Sequence, residues 1–186
     1  MINFADIVDA ILHPNEYTEL GDASERFLYR ALIKLGVPKN QIFRNVYIPA
    51  DNDKLTEIDL LVVCKKGIFI IENKALNGNI YGDGSQEKWI QYVGKKKSYF
   101  LSPVVQNQYH KKCLEKYINK CVPITTFITH AECGKWKVKN LKPNDHFLKR
   151  LREFLGVYQN LPDALEMKKY YKKLCEDFAS KSRQTL

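Results

Sequence analysis

The sequence has no C-x-x-C pair among its five cysteines and no apolar run long enough to span a membrane. An odd number of widely spaced cysteines indicates neither a disulfide framework nor a zinc knuckle, and it favours a reduced cytoplasmic setting. The first residues lack a basic segment followed by a long apolar run, so we expect no signal peptide. Internal repeats, low-complexity tracts and linkers are also lacking. We therefore expect the 186 residues to form a single domain with a substantial core.

Acidic residues are scarce relative to basic ones. The chain has 21 Asp and Glu against 30 Lys and Arg, a formal net charge of +9 and an isoelectric point near 9.2. This balance favours a polyanionic partner, with nucleic acid ahead of a membrane surface. Lys95, Lys96 and Lys97 form a compact basic run, which is either a nucleic-acid contact or an ordinary solvated surface.

The stretch 57–74 is the most informative part of the chain. Two runs rich in β-branched and aromatic residues, 57–64 and 67–74, flank the dipeptide Lys65-Lys66. Such a pattern predicts a β-hairpin, with side chains alternating between the two faces of each strand.

The loop of this hairpin decides which charged side chains meet. A Lys65-Lys66 loop places Asp59 directly opposite Glu72, whereas a Lys66-Gly67 loop places Asp59 opposite Lys74. Either register gathers the two carboxylates and Lys74 on one face. A three-residue loop without a compensating bulge would put Glu72 on the opposite face.

Facing carboxylates in a mostly apolar hairpin are destabilising, by about 0.2–1 kcal/mol across strands and more if they are buried. A divalent cation would offset that cost, because Asp, Glu and main-chain carbonyl oxygens suit Mg²⁺. Lys74 could then orient or stabilise an attacking water. The alternative is an ordinary surface hairpin with charged ends. An acidic-x-Lys triplet alone is weak support, since about three are expected by chance in this composition.

The other elements follow from periodicity and from turn residues. Helices are predicted at about 3–12, 22–35, 103–119, 144–155 and 162–179, and strands at 42–49, 80–81, 89–93 and 122–129. Strand 89–93 is expected to pair with the short strand before it.

Three polar side chains lie on the apolar stripes of these helices. Glu25 points with the stripe of its helix toward the core, unless it is an exposed first-turn residue favoured by the helix dipole. Gln106 and His110 lie near the N-terminal end of helix 103–119, where they could bind a phosphate or position water. The alternative for them is a capping Gln and a hydrogen-bonded core His.

Taken together, these segments resemble the nuclease-related domain family, within the broader PD-(D/E)xK nuclease superfamily. The match covers about residues 21–130 and consists of Gly21-x-x-Ser24-Glu25, Glu57-Ile58-Asp59, the run from Gly67 to Lys74, Gly78-x-Ile80-x-Gly82, Trp89, and Pro103-Val104-Val105-Gln106-Asn107-x-x-His110. The resemblance implies an α/β fold, with a mixed central β-sheet flanked by helices in a restriction-endonuclease-like αβββαβ core. Residues 144–179 would form a helical C-terminal extension.

The resemblance also assigns roles to residues of the hairpin. Asp59 and Glu72 correspond to metal ligands, with the main-chain carbonyl of Asn73 as a third candidate, and Lys74 corresponds to the catalytic lysine. Glu25 matches the acidic residue of the first helix, and Gln106 matches the accessory polar residue. Two positions depart from the family pattern: Ser24 replaces a Gly before the Glu, and Ser102 replaces an Asn before the Pro.

The implied function is Mg²⁺-dependent hydrolysis of phosphodiester bonds, with Mn²⁺ as a substitute ion and DNA preferred over RNA. The expected nucleic-acid contacts are the basic run Lys95–Lys97 together with Asn107 and His110. The rival hypothesis is a non-catalytic nucleic-acid-binding module that keeps the fold and the basic surface. A third hypothesis is an interaction domain in which the hairpin charges are merely structural.

Overall fold

A computed structural model describes residues 17–130, 134–141, 145–148 and 151–182. The helices are α1 (Tyr17–Lys34), α2 (Pro103–Ile118), α3 (Leu151–Asn160) and α4 (Leu165–Lys181). The strands are β1 (Ile42–Pro49), β2 (Leu55–Cys64), β3 (Gly67–Lys74), β4 (Asn79–Asp83), β5 (Lys88–Val93), β6 (Lys96–Leu101), β7 (Ile124–His130), β8 (Trp136–Lys139) and β9 (Asp145–Leu148). Short 3₁₀ turns precede and follow β1, at Lys39–Gln41 and Asp51–Asp53. The fold is α/β, as the sequence predicts.

The hairpin β2–β3 is the centre of the larger sheet, whose strand order is β1-β2-β3-β7-β9. β1, β2 and β3 are antiparallel neighbours, whereas β7 and β9 join in parallel. Cys64 pairs with Gly67, so the loop is Lys65-Lys66. The first of the two predicted registers is therefore correct, and the next pair beyond Leu60 and Ile71 brings Asp59 opposite Glu72.

Helices cover both faces of this sheet, because β2 and β3 are apolar on both sides. One core joins the sheet to α2 and α4 and includes Leu61, Val63, Ile68, Ile70, Leu114 and Phe178. The other core joins it to α1 and α3 and includes Leu28, Leu32, Leu60, Val62, Ile71 and Phe154. In the second core the rings of Phe69, Phe127 and Phe154 lie within 6.0 Å of one another, centroid to centroid.

A second, smaller sheet has the order β6-β5-β4-β8. Its inner face packs against the start of α2 and against β7 through Ile80, Trp89, Val104 and Ile128. Trp89 is fully buried and donates from its indole nitrogen to the carbonyl of Asp83, 2.9 Å away. The resemblance implies one central sheet, so the second sheet is a finding of the structure.

Most predicted elements occur, with shifted ends, but the C-terminal part differs. The helix predicted at 144–155 is wrong in its first half: β9 pairs there with β7, and α3 begins only at Leu151. The strands β6, β8 and β9 were not predicted. The helix predicted at 3–12 lies outside the described residues. No helix of the described part is long and apolar enough to cross a membrane.

Two glycines give opposite expectations for the same substitution. A Cβ at Gly82 would overlap the ring of Trp89, whereas a Cβ at Gly156, inside α3, would meet no described atom within 4 Å apart from its chain neighbours and the nearby backbone of its own helix. We expect Gly82→Ala to lower the free energy of unfolding by about 1–3 kcal/mol through overpacking. Gly156→Ala should raise it by up to about 1 kcal/mol through helix propensity. Urea unfolding of both variants measures the two effects, and a stable Gly82→Ala protein would contradict this packing of Trp89.

Candidate active site

The site lies where the apolar hairpin ends. β3 is buried from Gly67 to Glu72, and only its last two residues are partly exposed. At this point the Asp59 side chain replaces a main-chain acceptor: the Asn73 N–H donates to Asp59 Oδ2 at 2.8 Å. The contact anchors the Asp59 carboxylate to the strand that carries Glu72 and Lys74.

The face alternation of β1 and β2 breaks where Asn45 lies opposite Asp59. Strict alternation would place Ile58 and Leu61 on opposite faces, yet both belong to the core under α2 and α4. Asn45 has a left-handed φ of 48°, a conformation that Asn tolerates better than most side chains. The pairing on both sides keeps one register. The break in face alternation is therefore local. Because the alternation does not hold across Asp59, we take the position of this side chain from its contacts.

Glu72 is the most deeply buried carboxyl group of the site, with 1% of its surface exposed. Its Oε1 lies 2.5 Å from Lys74 Nζ, and Lys74 also donates to Gln106 Oε1 at 2.9 Å. Oε2 of Glu72 accepts no hydrogen bond from the described residues, and His110 Nδ1 lies 3.6 Å from it. The first two turns of α2 thus place Gln106 and His110 over the end of β3.

The electrostatics of the site make Asp59 and Glu72 hard to ionise. Burial, followed by the charge of Asp59, raises the pKa of Glu72 to about 8, although Lys74 opposes the shift. Burial also raises the pKa of Asp59, against the Asn73 N–H and Lys74. Burial and then Lys74 lower the pKa of His110 to about 4, so this imidazole is neutral at neutral pH. His110 therefore adds no positive charge beside Glu72.

A polar layer contributed by α1 and β1 surrounds the pair. Asn45 donates to Glu25 Oε2 and to Glu57 Oε1, each at 2.9 Å. The Asn73 amide donates to Ser24 Oγ at 2.9 Å. The charge of Glu25 adds a small upward contribution to the pKa of Glu72. Glu25 therefore faces the site, as the helix stripe predicts, and Ser24 holds the side chain of Asn73.

Asn45 and Glu57 are members of the site that the sequence did not assign. The available signal for Asn45 was a lone amide within the apolar strand run Ile42–Pro49. Glu57 shared the predicted face of Asp59, but no role was given to it. The Asn45 amide donates to both Glu25 on α1 and Glu57 on β2, and so joins these two carboxylates into one acidic group.

The donor set for a cation is small. No three His, Cys, Asp or Glu side chains of the described residues form a group that could hold a metal ion. Asp59 and Glu72 supply carboxylate oxygens, and the main-chain carbonyl of Asn73 is the predicted third ligand. Mg²⁺ is commonly bound by one or two carboxylates plus water and substrate phosphate, so this set is of the right kind.

The residues predicted to contact nucleic acid differ in their exposure. Asn107 is buried and donates to the carbonyl of Phe127 at 2.7 Å, and His110 is buried beside Glu72. In this structure Asn107 thus makes a buried contact with β7 and His110 lies beside Glu72, and their role in nucleic-acid binding stays a prediction. The basic run is exposed but not one patch: its first lysine lies in the β5–β6 turn, and the next two point to alternate faces of β6.

Comparisons with known proteins agree with this arrangement. The model of the nuclease-related domain family matches residues 20–131. An uncharacterized protein of Bacillus anthracis is 32% identical over 129 residues, which cover 69% of this chain and 61% of that protein. The chain thus spans about three fifths of the length of this curated relative. No solved structure matches the chain significantly. The family match runs from α1 to the end of β7 and includes the whole site, and the chain belongs to the nuclease-related domain family.

Proposed function

We propose that this chain is a metal-dependent nuclease that hydrolyses phosphodiester bonds, with DNA preferred over RNA. The observation that carries the proposal is the Glu72 carboxylate, buried beside Asp59 and Lys74 at the end of β3. A buried carboxyl group with a second, partly buried one beside it costs stability, which argues for a use other than packing. Membership of the nuclease-related domain family supports the same reaction class.

Mg²⁺ fits the chemistry of the donors, and Mn²⁺ would substitute. Asp59, Glu72 and the main-chain carbonyl of Asn73 would hold the ion, since hard oxygen donors suit these cations better than Zn²⁺. The Glu72 oxygen that accepts no hydrogen bond from the described residues is a free donor for such an ion. When bound, the cation would neutralise charge on the scissile phosphate and polarise it.

Lys74 is the residue that we propose acts on the attacking water. Its side chain is 20% exposed, so the ammonium group reaches solvent while Glu72 and Gln106 hold it in place. A positive charge fixed before the reaction stabilises the charge that develops in the transition state without reorganisation. Gln106 then serves to position Lys74, which differs from the predicted direct action on water or on a second metal.

Glu25 and the surrounding polar layer have a supporting role in this proposal. Glu25 interacts with Glu72 through its charge and accepts a hydrogen bond from Asn45. It therefore increases the negative potential that attracts a cation, without being placed as a ligand. We further propose a nucleic-acid partner and a cytoplasmic location, in keeping with the net charge of +9 and with free thiols at Cys64, Cys113, Cys121 and Cys175.

Substitutions at the hairpin separate the catalytic proposal from its rivals. We expect Glu72→Gln to lose both Mg²⁺ binding and cleavage, because the amide has no negative charge. Lys74→Ala should lower kcat by about 10²- to 10³-fold and leave DNA binding in place, because the charge acts mainly in the transition state. Metal binding should persist in Lys74→Ala and even tighten, since a nearby positive charge is gone. Cleavage of circular and linear DNA and of RNA, with Mg²⁺, Mn²⁺ or EDTA, measures activity, and calorimetry measures metal binding.

The matched controls make the same chemical changes away from the site. Lys65→Ala removes an exposed lysine at the other end of the hairpin, and Glu87→Gln neutralises an exposed glutamate. Both should cleave like the wild type. A binding module would show no cleavage in any protein, and a contaminating nuclease would cleave equally in all. Wild-type cleavage by Lys74→Ala would refute the catalytic assignment even with the fold correct.

The raised pKa of Glu72 predicts how stability depends on pH. The folded protein keeps a proton on Glu72 up to about pH 8, whereas the unfolded chain releases it near 4.5. The folded state therefore binds more protons between these values, and the free energy of unfolding should fall as pH rises through them. His110 acts in the opposite direction below its ordinary pKa of 6.5. In the window from about pH 6.5 to 8 the effect of His110 therefore fades, and Glu72, together with Asp59, whose pKa is also raised, sets the slope.

Denaturant unfolding of wild type and Glu72→Gln across that window tests this expectation. The wild type should lose up to about 1.4 kcal/mol per pH unit more than the variant, the limit for one proton. Saturating Mg²⁺ should remove most of the difference, because a bound cation displaces the proton and stabilises the folded state by mass action. Parallel pH profiles for the two proteins would show that Glu72 titrates normally.

The hydrogen bond from Lys74 to Gln106 gives a separate expectation for helix α2. Gln106→Ala should lower kcat by about tenfold, a typical loss for a positioning contact, with metal affinity unchanged. Gln106→Glu keeps an acceptor oxygen and should retain more activity than Gln106→Ala. Single-turnover cleavage at saturating Mg²⁺ gives the rates. A change in metal affinity larger than the change in rate would instead place Gln106 among the ligands.

A further inference from the structure

The smaller sheet turns one face away from the core. Cross-strand pairing places on this outer face the side chains of Tyr81, Ile90, Tyr92, Lys97, Tyr99 and Lys137. The alternate positions point inward, to the core around Trp89. The outer face is thus a surface built from β4, β5, β6 and β8.

Aromatic rings dominate the outer face. Tyr99 is 61% exposed and Tyr81 is 38% exposed. The ammonium groups of Lys97 and Lys137 lie over these rings, 4.9 Å from the Tyr99 centroid and 5.6 Å from the Tyr81 centroid. Tyr92 packs edge-on against Tyr81, with centroids 5.7 Å apart, and so fixes the orientation of that ring. The two exposed rings belong to strands separated by β5.

The same surface is basic. Its exposed lysines, from β5, β6 and β8, are Lys88, Lys97, Lys137 and Lys139. The acidic residue at its edge, Asp83, accepts hydrogen bonds from Ser85 and from Asn140, which hold its carboxylate within the turn. Positive charge and exposed rings therefore occur together on one face.

We propose that the outer face binds single-stranded nucleic acid, with bases stacked on Tyr99 and Tyr81 and phosphates contacted by Lys97 and Lys137. Every base has a π-face, so stacking on tyrosine tolerates any sequence, while lysines follow the backbone. In the free protein the lysines cover the rings through cation–π contacts. A base that stacks on a ring would displace the lysine ammonium group toward the phosphate of the same nucleotide. The lysine then exchanges its cation–π contact for an ion pair, and its charge keeps a partner.

The chemistry of the face favours this occupant over others. An acidic peptide would use the lysines and leave the exposed rings without a matched partner. A duplex would present phosphates, but its bases are stacked on one another and cannot reach the rings. Unpaired bases with phosphates beside them match both features. The inference does not depend on cleavage, although β4, β5 and β6 lie between Lys74 and Gln106 in the chain.

Binding of a labelled oligonucleotide tests the tyrosines. We would measure the fluorescence anisotropy of a labelled 20-nucleotide oligo(dT) with the full chain in EDTA, where metal-dependent cleavage cannot occur. Tyr99→Ala should weaken binding about tenfold, as expected for the loss of one stacked base. Tyr99→Phe keeps the ring and should bind like the wild type. A duplex of equal length should bind more weakly and respond to neither substitution.

The lysines are tested by the salt dependence of the same binding. Lys97→Ala should reduce the slope of log affinity against log salt by about 0.7, the value for one single-strand phosphate contact. Lys172→Ala makes the same charge change at an exposed position of α4 and should leave the slope unchanged. Both lysines and Tyr99 are exposed, and equal melting temperatures would verify that the variants fold.

Each outcome decides for or against the outer face. Wild-type binding by Tyr99→Ala, or a duplex bound as tightly as the single strand with the same response to Tyr99→Ala, would overturn base stacking. Poly-glutamate bound with the same affinity and the same dependence on Tyr99 would assign the face to an acidic protein partner instead. A chain that never cleaves DNA but binds oligo(dT) through Tyr99 would refute the nuclease proposal alone. A chain that cleaves DNA with Tyr99→Ala binding unchanged would refute this inference alone.

Discussion

The burial of the Glu72 carboxylate beside Asp59 is the constraint around which the site is arranged. Burial and the second carboxylate both disfavour ionisation of Glu72. Neither residue could hold this position on a flexible loop, because it would turn toward water. The fully buried strand runs of the hairpin, with helices on both faces, fix the two backbones rigidly enough to prevent that.

The stability for this arrangement comes from both cores of the larger sheet. Apolar residues before Glu72 alternate between the core under α2 and the core under α1, so displacing β3 would expose both. Parallel pairing with β7 continues beyond Glu72 to the end of β3. The main chain of β3 is therefore held on the side of β7, while on the side of β2 the regular pairing ends before Asp59. A site of low intrinsic stability is thus supported by the most buried part of the fold.

Local pattern was sufficient for the hairpin and insufficient for the elements that complete the sheets. Two buried runs around Lys65-Lys66 predict the pairing of Asp59 with Glu72 because strand period and a two-residue loop leave few registers. β8 and β9 are short strands that pair in parallel with distant partners, β4 and β7, and nothing in their own residues reports this pairing. β6 was hidden by its lysines, which suggested a solvated run although its other residues complete a hairpin with β5.

The same contrast holds within the site. Charged residues at the ends of apolar strands were visible in the sequence, and the structure brings Asp59, Glu72 and Lys74 together with Gln106. The kink at Asn45 was not visible, because a positive φ at a strand position depends on the residue opposite and on Glu25 and Glu57, which its amide joins. The burial of Asn107 was likewise not visible in the sequence. Helix periodicity indicates which side of α2 a residue faces, but not that the Asn107 amide meets the carbonyl of Phe127.

The smaller sheet connects the two proposals through the order of the chain. Three of its strands, β4, β5 and β6, lie between Lys74 at the end of β3 and Gln106 in the first turn of α2, whereas β8 joins the sheet from beyond β7. Trp89 packs the inner face against the start of that helix. The hydrogen bond between Lys74 and Gln106 therefore joins the two ends of the segment that contains β4, β5 and β6. A strand of nucleic acid held on the outer face would lie on strands β4 to β6, which are connected to the site at both ends. Movement of β4 to β6 relative to the site would shift Gln106 and, with it, the ammonium group of Lys74. The position of Lys74 therefore depends on the rigidity of these strands.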